Sequence, residues 1–190
     1  MGYDVIYADP PWQYQQKTLR GGAEHHYPTL TDEDIYQLPV ESLANDNCVL
    51  FLWATYPKLA EALMTIARWG FTYKTAAFVW VKQNRKSPGW FFGLGFWTRG
   101  NTEICLLAVK GKPKRLTANV SQLIVSPVER HSRKPALVRE RIEELMGDGP
   151  RIELFAREQV PGWECLGNEI DGLDIRESIP RCMEKEMDKG

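Results

Sequence analysis

The stretch Val5-Ile6-Tyr7-Ala8-Asp9-Pro10-Pro11-Trp12 joins a short apolar run to an acid, two prolines and an indole. Four apolar residues closed off by proline read as a buried strand that stops at Asp9. Each proline biases the residue before it toward extended backbone, so Asp9 and Pro10 are pre-set before any ligand arrives. The strand tip therefore carries a carboxylate, a stiffened carbonyl and a flat ring side by side. That set suits the grip of a planar amino group. If the Asp9 carboxylate and the Pro10 carbonyl each accept one N–H, the nitrogen lone pair is drawn out of conjugation and aimed at an electrophile. Trp12 offers a stacking face, and base–aromatic stacking is worth about 1–3 kcal/mol. No covalent nucleophile is required.

Outward from that tip, strands and helices alternate. Thr31 precedes Asp32, Glu33 and Asp34, acids suited to a first helical turn, and Leu38-Pro39 closes a short helix. Cys48–Trp53 is continuously apolar, as expected of a strand buried on both faces in a parallel sheet. Pro57 opens a helix with Leu59, Leu63, Ile66 and Ala67 on its inner face, and Gly70 stops it. Ala77–Lys82 and Ile104–Val109 read as further strands on either side of an aromatic, glycine-rich excursion. Pro135 opens a helix with Val138, Ile142 and Leu145 inward and Gly147 at its end. Arg151–Phe155 is another buried strand, and a second short strand, WECLGN, ends at Asn168. Alternating helices and apolar strands predict an α/β sandwich of Rossmann type. Residues 1–175 are expected to form a single domain, and 176–190 a polar, flexible tail.

Composition bounds the partners. The 190 residues are 43% hydrophobic and 26% charged, with a formal net charge of −1. Near-neutrality excludes affinity built on global attraction to phosphates, so nucleic-acid contact has to come from a local patch or a partner. The apolar stretches are far short of a membrane span, and Met1-Gly2-Tyr3-Asp4 leads straight into a strand, so a cytoplasmic protein is expected. Cys48, Cys105, Cys165 and Cys182 form no CxxC pair, which predicts free thiols and no metal site. His25-His26 lack further ligands. No G-x-G-x-x-G follows any strand, and Gly93-Leu94-Gly95 is a weak fragment, so a dehydrogenase is disfavoured. The segment Arg151 to Glu169 nevertheless has the layout of a cofactor half-site, with an acid placed to accept from ribose hydroxyls.

Five segments together carry a resemblance: VIYADPPW; YPTLTDEDI with LPV; VLFLWAT with WGF; GFWTRGNTEICLLAVKGKP; and HSRKP leading through RIELFAR to GWECLGNEIDG. In these, from Asp4 to Leu173, the chain resembles the MT-A70 family of adenine-N6 methyltransferases. The resemblance implies a Rossmann-like class I methyltransferase sandwich, circularly permuted, with a mostly parallel sheet and the catalytic strand first. It implies S-adenosyl-L-methionine as cofactor and no metal. Asp9, Pro10, Pro11 and Trp12 would be catalytic, with Trp12 stacked on the adenine and Asp9 also facing the cofactor. Lys110, in VKGKP, would reach the cofactor carboxylate, and Arg157, Gln159, Asn168 and Glu169 would line its ribose and adenine side. Tyr27 resembles a loop tyrosine near the active-site mouth.

Two regions could meet a polynucleotide. One runs from Lys82 to Arg99 and includes Arg85 among Trp90, Phe91, Phe92, Phe96 and Trp97; the other is KGKPKR, with Lys112 and Arg115. Cations interleaved with aromatics suit a splayed strand or a flipped base. The aromatic loop over 83–102 reads equally as a homodimer or heterodimer interface. His131, Arg130, Arg133 and Lys134 read as a solvated basic turn. The expected activity is methyl transfer to N6 of adenine in DNA. RNA is the nearest alternative, and a non-catalytic nucleic-acid-binding subunit is the alternative of another class.

Overall fold

The computed structural model describes residues 2–14, 30–95, 97–129 and 133–187. Seven strands build one sheet: β1 (Tyr3–Ala8), β2 (Ala44–Ala54), β3 (Thr72–Gln83), β4 (Thr102–Lys110), β5 (Leu123–Pro127), β6 (Arg151–Leu154) and β7 (Glu164–Leu166). Their order is β5-β3-β4-β2-β1-β6-β7. β1 pairs in parallel with β2 and β6, β6 with β7, and β3 with β5, whereas β4 runs antiparallel to both β2 and β3. The sheet is thus mostly parallel, with β4 reversed inside it. The helices are α1 (Asp32–Tyr36), α2 (Leu59–Arg68), α3 (Leu137–Met146), α4 (Asn168–Asp171) and α5 (Ile175–Met187). The architecture is a Rossmann-like α/β sandwich.

Side-chain alternation along the central strands divides the core into two layers. Ile6 and Ala8 of β1 and Leu50 and Leu52 of β2 face Ile35, Ala62, Ile66 and Ile179 from α1, α2 and α5. Val5 and Tyr7, with Val49, Phe51 and Trp53, face Val138 and Ile142 of α3. A period of two that is apolar at both phases marks strands covered on both faces. Buried indoles are all given acceptors here: Trp53 Nε1 donates to Tyr7 Oη at 2.7 Å, Trp69 to the Ile35 carbonyl at 2.8 Å and Trp163 to Glu143 Oε1 at 2.7 Å. Thr31 caps α1 through a reciprocal box, its hydroxyl accepting from the Asp34 N–H at 3.1 Å while Asp34 Oδ2 accepts from the Thr31 N–H at 3.1 Å.

The chain leaves β1 toward β2 on one side and leaves β6 toward β7 on the other. Loops that diverge from adjacent parallel strands open a crevice at their carboxyl ends, the usual ligand position in such sheets. In this order the first strand in sequence is central and its neighbour β6 comes late, as a permuted chain requires.

Two expectations are corrected. The inner face of α2 is Ala62, Thr65 and Ile66, followed by Trp69, whereas Leu63 and Ala67 face solvent; packing Trp69 under α1 turns the helix away from the stripe its leucines suggest. Residues 176–190 are not a loose tail over their described part, because α5 seats Ile175, Ile179 and Cys182 in the core. These lie at i, i+4 and i+7, a helical stripe hidden among charges. Among the described residues no helix is long and apolar enough to cross a membrane.

Ile179→Ala should lower the unfolding free energy by about 2–5 kcal/mol in urea titration. A flexible segment at that position would leave the midpoint unchanged.

Candidate active site

Asp9 follows the Ala8–Leu154 pairing by one residue, so its carboxylate stands at the mouth of the crevice between β1 and β6. The turn behind it is tight. The Trp12 N–H donates to the Pro10 carbonyl at 2.9 Å, and the Leu30 N–H to the Pro11 carbonyl at 3.2 Å. The first of these closes a γ-turn around Pro11, whose ring already fixes φ.

Lys134 enters the mouth from the segment ahead of α3. Its Nζ donates to both Asp9 oxygens at 2.7 Å, lies 3.3 Å from Glu103 Oε2, and sits 5.4 Å from the centre of the Trp53 ring. Glu103, at the start of β4, is also paired with Lys82 at the end of β3. Charges therefore alternate along this edge in the order Lys82, Glu103, Lys134, Asp9, with side chains only 11–23% exposed for all four. Burial presses the Lys134 ammonium toward neutrality, but Asp9 and Glu103 outweigh it and hold its pKa above the ordinary lysine range. Burial pushes Glu103 up, while the ammonium groups of Lys134 and Lys82 prevail and hold its carboxyl below the ordinary value of 4.5. Below this row, burial and the neighbouring Glu153 raise the Tyr7 phenol, so it stays neutral and serves as acceptor for Trp53.

The opposite wall is built where β6 and β7 end. Phe155 adopts φ 63°, in the left-handed region that an aromatic side chain rarely occupies. Arg157 follows this kink by two residues. Gly167 makes it fit: a Cβ there would lie 2.3 Å from the Ala156 carbonyl oxygen and 2.9 Å from its nitrogen. With the backbones this close, Arg157 Nε comes within 4.0 Å of Glu169 Oε1, and Asn168 opens α4 alongside. Gln159 Nε2 donates to the Trp163 carbonyl at 3.1 Å, tying off the same turn.

Such a crevice can do specific chemistry. A carboxylate presents about four lone-pair sites, of which Lys134 takes one on each oxygen, leaving one on each for an incoming N–H. The Pro10 carbonyl likewise keeps a second lone pair beyond the one used by Trp12. Donor and acceptor groups on the second wall suit a ribose and a base.

A model of the family described as MT-A70 matches residues 3–169. The chain belongs to the MT-A70 family. It is 38% identical over 188 residues to the type II methyltransferase M.MunI of a Mycoplasma species, covering 88% of this chain and 78% of that protein. It is 32% identical over 177 residues to the human N(6)-adenosine-methyltransferase catalytic subunit METTL3, covering 91% of this chain and 29% of METTL3. An MT-A70-like N(6)-adenosine-methyltransferase of Arabidopsis thaliana is 31% identical over 177 residues, covering 91% of this chain and 24% of its own length.

Within this MT-A70 domain Asp9 and Pro10 follow the end of β1, and Arg157, Gln159, Asn168 and Glu169 follow the ends of the neighbouring β6 and β7. Lys82 lies on the same edge, and Arg85 and Arg99 stand exposed in the excursion between β3 and β4. Lys110 does not join them. It pairs with Cys48 while Ala8 pairs with Leu52, which places it about 15 Å down the sheet at the opposite edge. There its Nζ lies 3.4 Å from the Glu41 carbonyl and 3.7 Å from Glu41 Oε1. Lys112 and Arg115 follow it to that far edge, and the cause is the reversed direction of β4. Trp12 is also corrected: it is 5% exposed, packs in the core and donates to the Trp53 carbonyl at 3.1 Å, so it anchors the turn and offers no stacking face. Tyr27, His25, His26, Arg130, His131 and Phe96 lie outside the described residues.

Sequence reasoning missed Lys134 and Glu103. A glutamate heading the apolar strand EICLLAV was the available signal, since a buried charge requires a partner. Lys134, read as solvated, is that partner. Cys48, Cys105, Cys165 and Cys182 are buried free thiols, burial lifting Cys48 to about 12. Among the described residues no group of three or more His, Cys, Asp or Glu could hold a metal ion.

Because the folded-state pKa of Glu103 is depressed, its contribution to stability is complete above pH 4.5 and is lost as pH falls below that value. Glu103→Gln should therefore flatten the acid limb of the stability curve below about pH 4.5, read by denaturant unfolding at stepped pH. An unchanged slope would remove Glu103 from the ionic row.

Proposed function

We propose that this protein transfers a methyl group from S-adenosyl-L-methionine to N6 of adenine in DNA. The observation that carries the reading is Asp9, set at the switch-point crevice with lone pairs left for an amine after Lys134 is satisfied. The exocyclic amine of adenine is a weak nucleophile; Asp9 and the Pro10 carbonyl accept its two N–H groups, free its lone pair and give the departing proton a destination. Bound in the crevice, S-adenosyl-L-methionine supplies a methyl group activated by a sulfonium centre. The residues present fit it: Arg157, Asn168 and Glu169 would offer hydrogen bonds to a ribose and a base, and Lys134, not Lys110, is the cation beside Asp9 that would answer its carboxylate.

DNA is favoured over RNA because the identity is higher to the type II methyltransferase, 38%, than to the N(6)-adenosine enzymes, 32% and 31%. Incubation of purified protein with labelled S-adenosyl-L-methionine and matched DNA and RNA oligonucleotides tests this directly. Label should enter adenine of the DNA; labelled RNA beside inert DNA would reverse the choice of polymer. Asp9→Ala should reduce transfer to background with its circular dichroism unchanged, and retained activity would take Asp9 out of the mechanism. Lys134→Ala should raise the cofactor KM while Lys110→Ala leaves it alone.

The excursion between β3 and β4 holds Phe92 at 66%, Leu94 at 73% and Trp97 at 98% exposure. Exposed apolar side chains so close in sequence suit an interaction surface, and the occupant we propose for it is a second copy of the chain. Sedimentation at micromolar concentration should show a dimer that Phe92→Ala with Trp97→Ala converts to monomer; an unaltered distribution would exclude the loop as the interface.

A further inference from the structure

One group of charges plays no part in the mechanism above. Arg139, in the first turn of α3, forks onto the buried Glu153 of β6, with Nε 2.7 Å from Oε2 and Nη2 2.9 Å from Oε1. Its remaining nitrogen, Nη1, donates to Glu158 Oε1 at 3.2 Å. The same Glu158 oxygen is paired with Arg133, which in turn lies 3.6 Å from Glu129. Five residues thus form a ladder of alternating sign, Glu129–Arg133–Glu158–Arg139–Glu153.

What the ladder joins gives it meaning. Glu158 sits between Arg157 and Gln159 in the turn that forms one wall of the crevice. Arg133 directly precedes Lys134, the residue that holds both Asp9 oxygens from the other side. The two walls come from sequence segments about 25 residues apart, and Glu158 is where they meet. Glu158 is 37% exposed and Arg133 41%, whereas Arg139 and Glu153 are 14% and 9% exposed. The inner pair is therefore the fixed end and the outer pair the adjustable one. An exposed pair alone adds little to stability, but a bridge from a buried forked guanidinium fixes geometry.

We infer that Arg139 and Glu158 are positioning residues, clamping the 155–160 turn to the segment that carries Lys134 and so setting the width of the cofactor crevice. The inference rests on the methyltransferase reading. Neither residue touches the reacting atoms; they act through Arg157 and Lys134. Loosening the clamp should weaken the cofactor and leave the oligonucleotide KM unaltered, since sub-ångström placement of binding groups is what the clamp supplies.

The test uses Glu158→Gln and Arg139→Lys in the full chain. The first removes one charge from the exposed end; the second keeps a cation beside Glu153 but cannot fork to Glu158. S-adenosylhomocysteine binding is measured by calorimetry, melting temperature by scanning, and amide exchange by mass spectrometry over 133–137 and 155–160. Both variants should bind on the order of tenfold more weakly and exchange faster in the two segments together, with Glu158→Gln melting close to the wild type. Wild-type affinity in both variants, or faster exchange confined to one segment, would overturn the clamp. A wild-type protein that binds no S-adenosylhomocysteine would sink the methyltransferase reading instead, and the paired exchange measurement would then decide the clamp by itself.

Discussion

A single ammonium group, Lys134 Nζ held between Asp9 and Glu103, is the contact on which this site depends. It ties the tip of the first strand to a residue 125 positions later, and it lets two carboxylates share a poorly solvated edge. Without it, Asp9 and Glu103 would be uncompensated charges with limited access to water, an arrangement that costs several kcal/mol or drives protonation. The row of four charges is neutral as a whole. An incoming ligand therefore meets local fields of both signs and no net charge, which suits a molecule carrying an amine, a carboxylate and a sulfonium.

The sheet places this row where it can act. β1 and β6 lie side by side with their following loops parting, so the crevice exists before any side chain is considered. Proline stiffening on one wall, and the left-handed Phe155 with the close backbone approach at Gly167 on the other, then fix which groups face inward. Both devices are backbone constraints. The chemistry is carried by a few side chains on an edge that the fold had already opened.

Much of this was legible in the sequence. Apolar runs named the central strands, Thr31 and its acids named α1, and the acid–proline–proline–indole tip named the strand end at which the site is proposed. What stayed hidden has a common cause. Sequence pattern reports burial and period but not strand direction, so nothing in VKGKP reveals that β4 runs backwards and takes Lys110 to the wrong edge. Trp12 stands beside Asp9 in sequence, yet its ring turns into the core because the γ-turn at Pro11 points it there. Lys134 looked solvated among Arg130, His131 and Arg133, since its partners are distant in the chain. The stripe of α5 was masked by charges on its outer face. Membership of the MT-A70 family agrees with the tip and with the order of the elements, while the ionic row is assembled only by the fold.

The most direct test of the central claim is a crystal structure of the protein with S-adenosylhomocysteine and an adenine-containing oligonucleotide. The account predicts that the cofactor product lies in the crevice between the carboxyl ends of β1 and β6, against Lys134, Arg157 and Glu169, with an adenine amino group at Asp9. Occupancy of the groove at the opposite edge, lined by Gly2, Asp4, Asn45, Asp46 and Met183, with Asp9 and Lys134 left in contact only with each other, would contradict it.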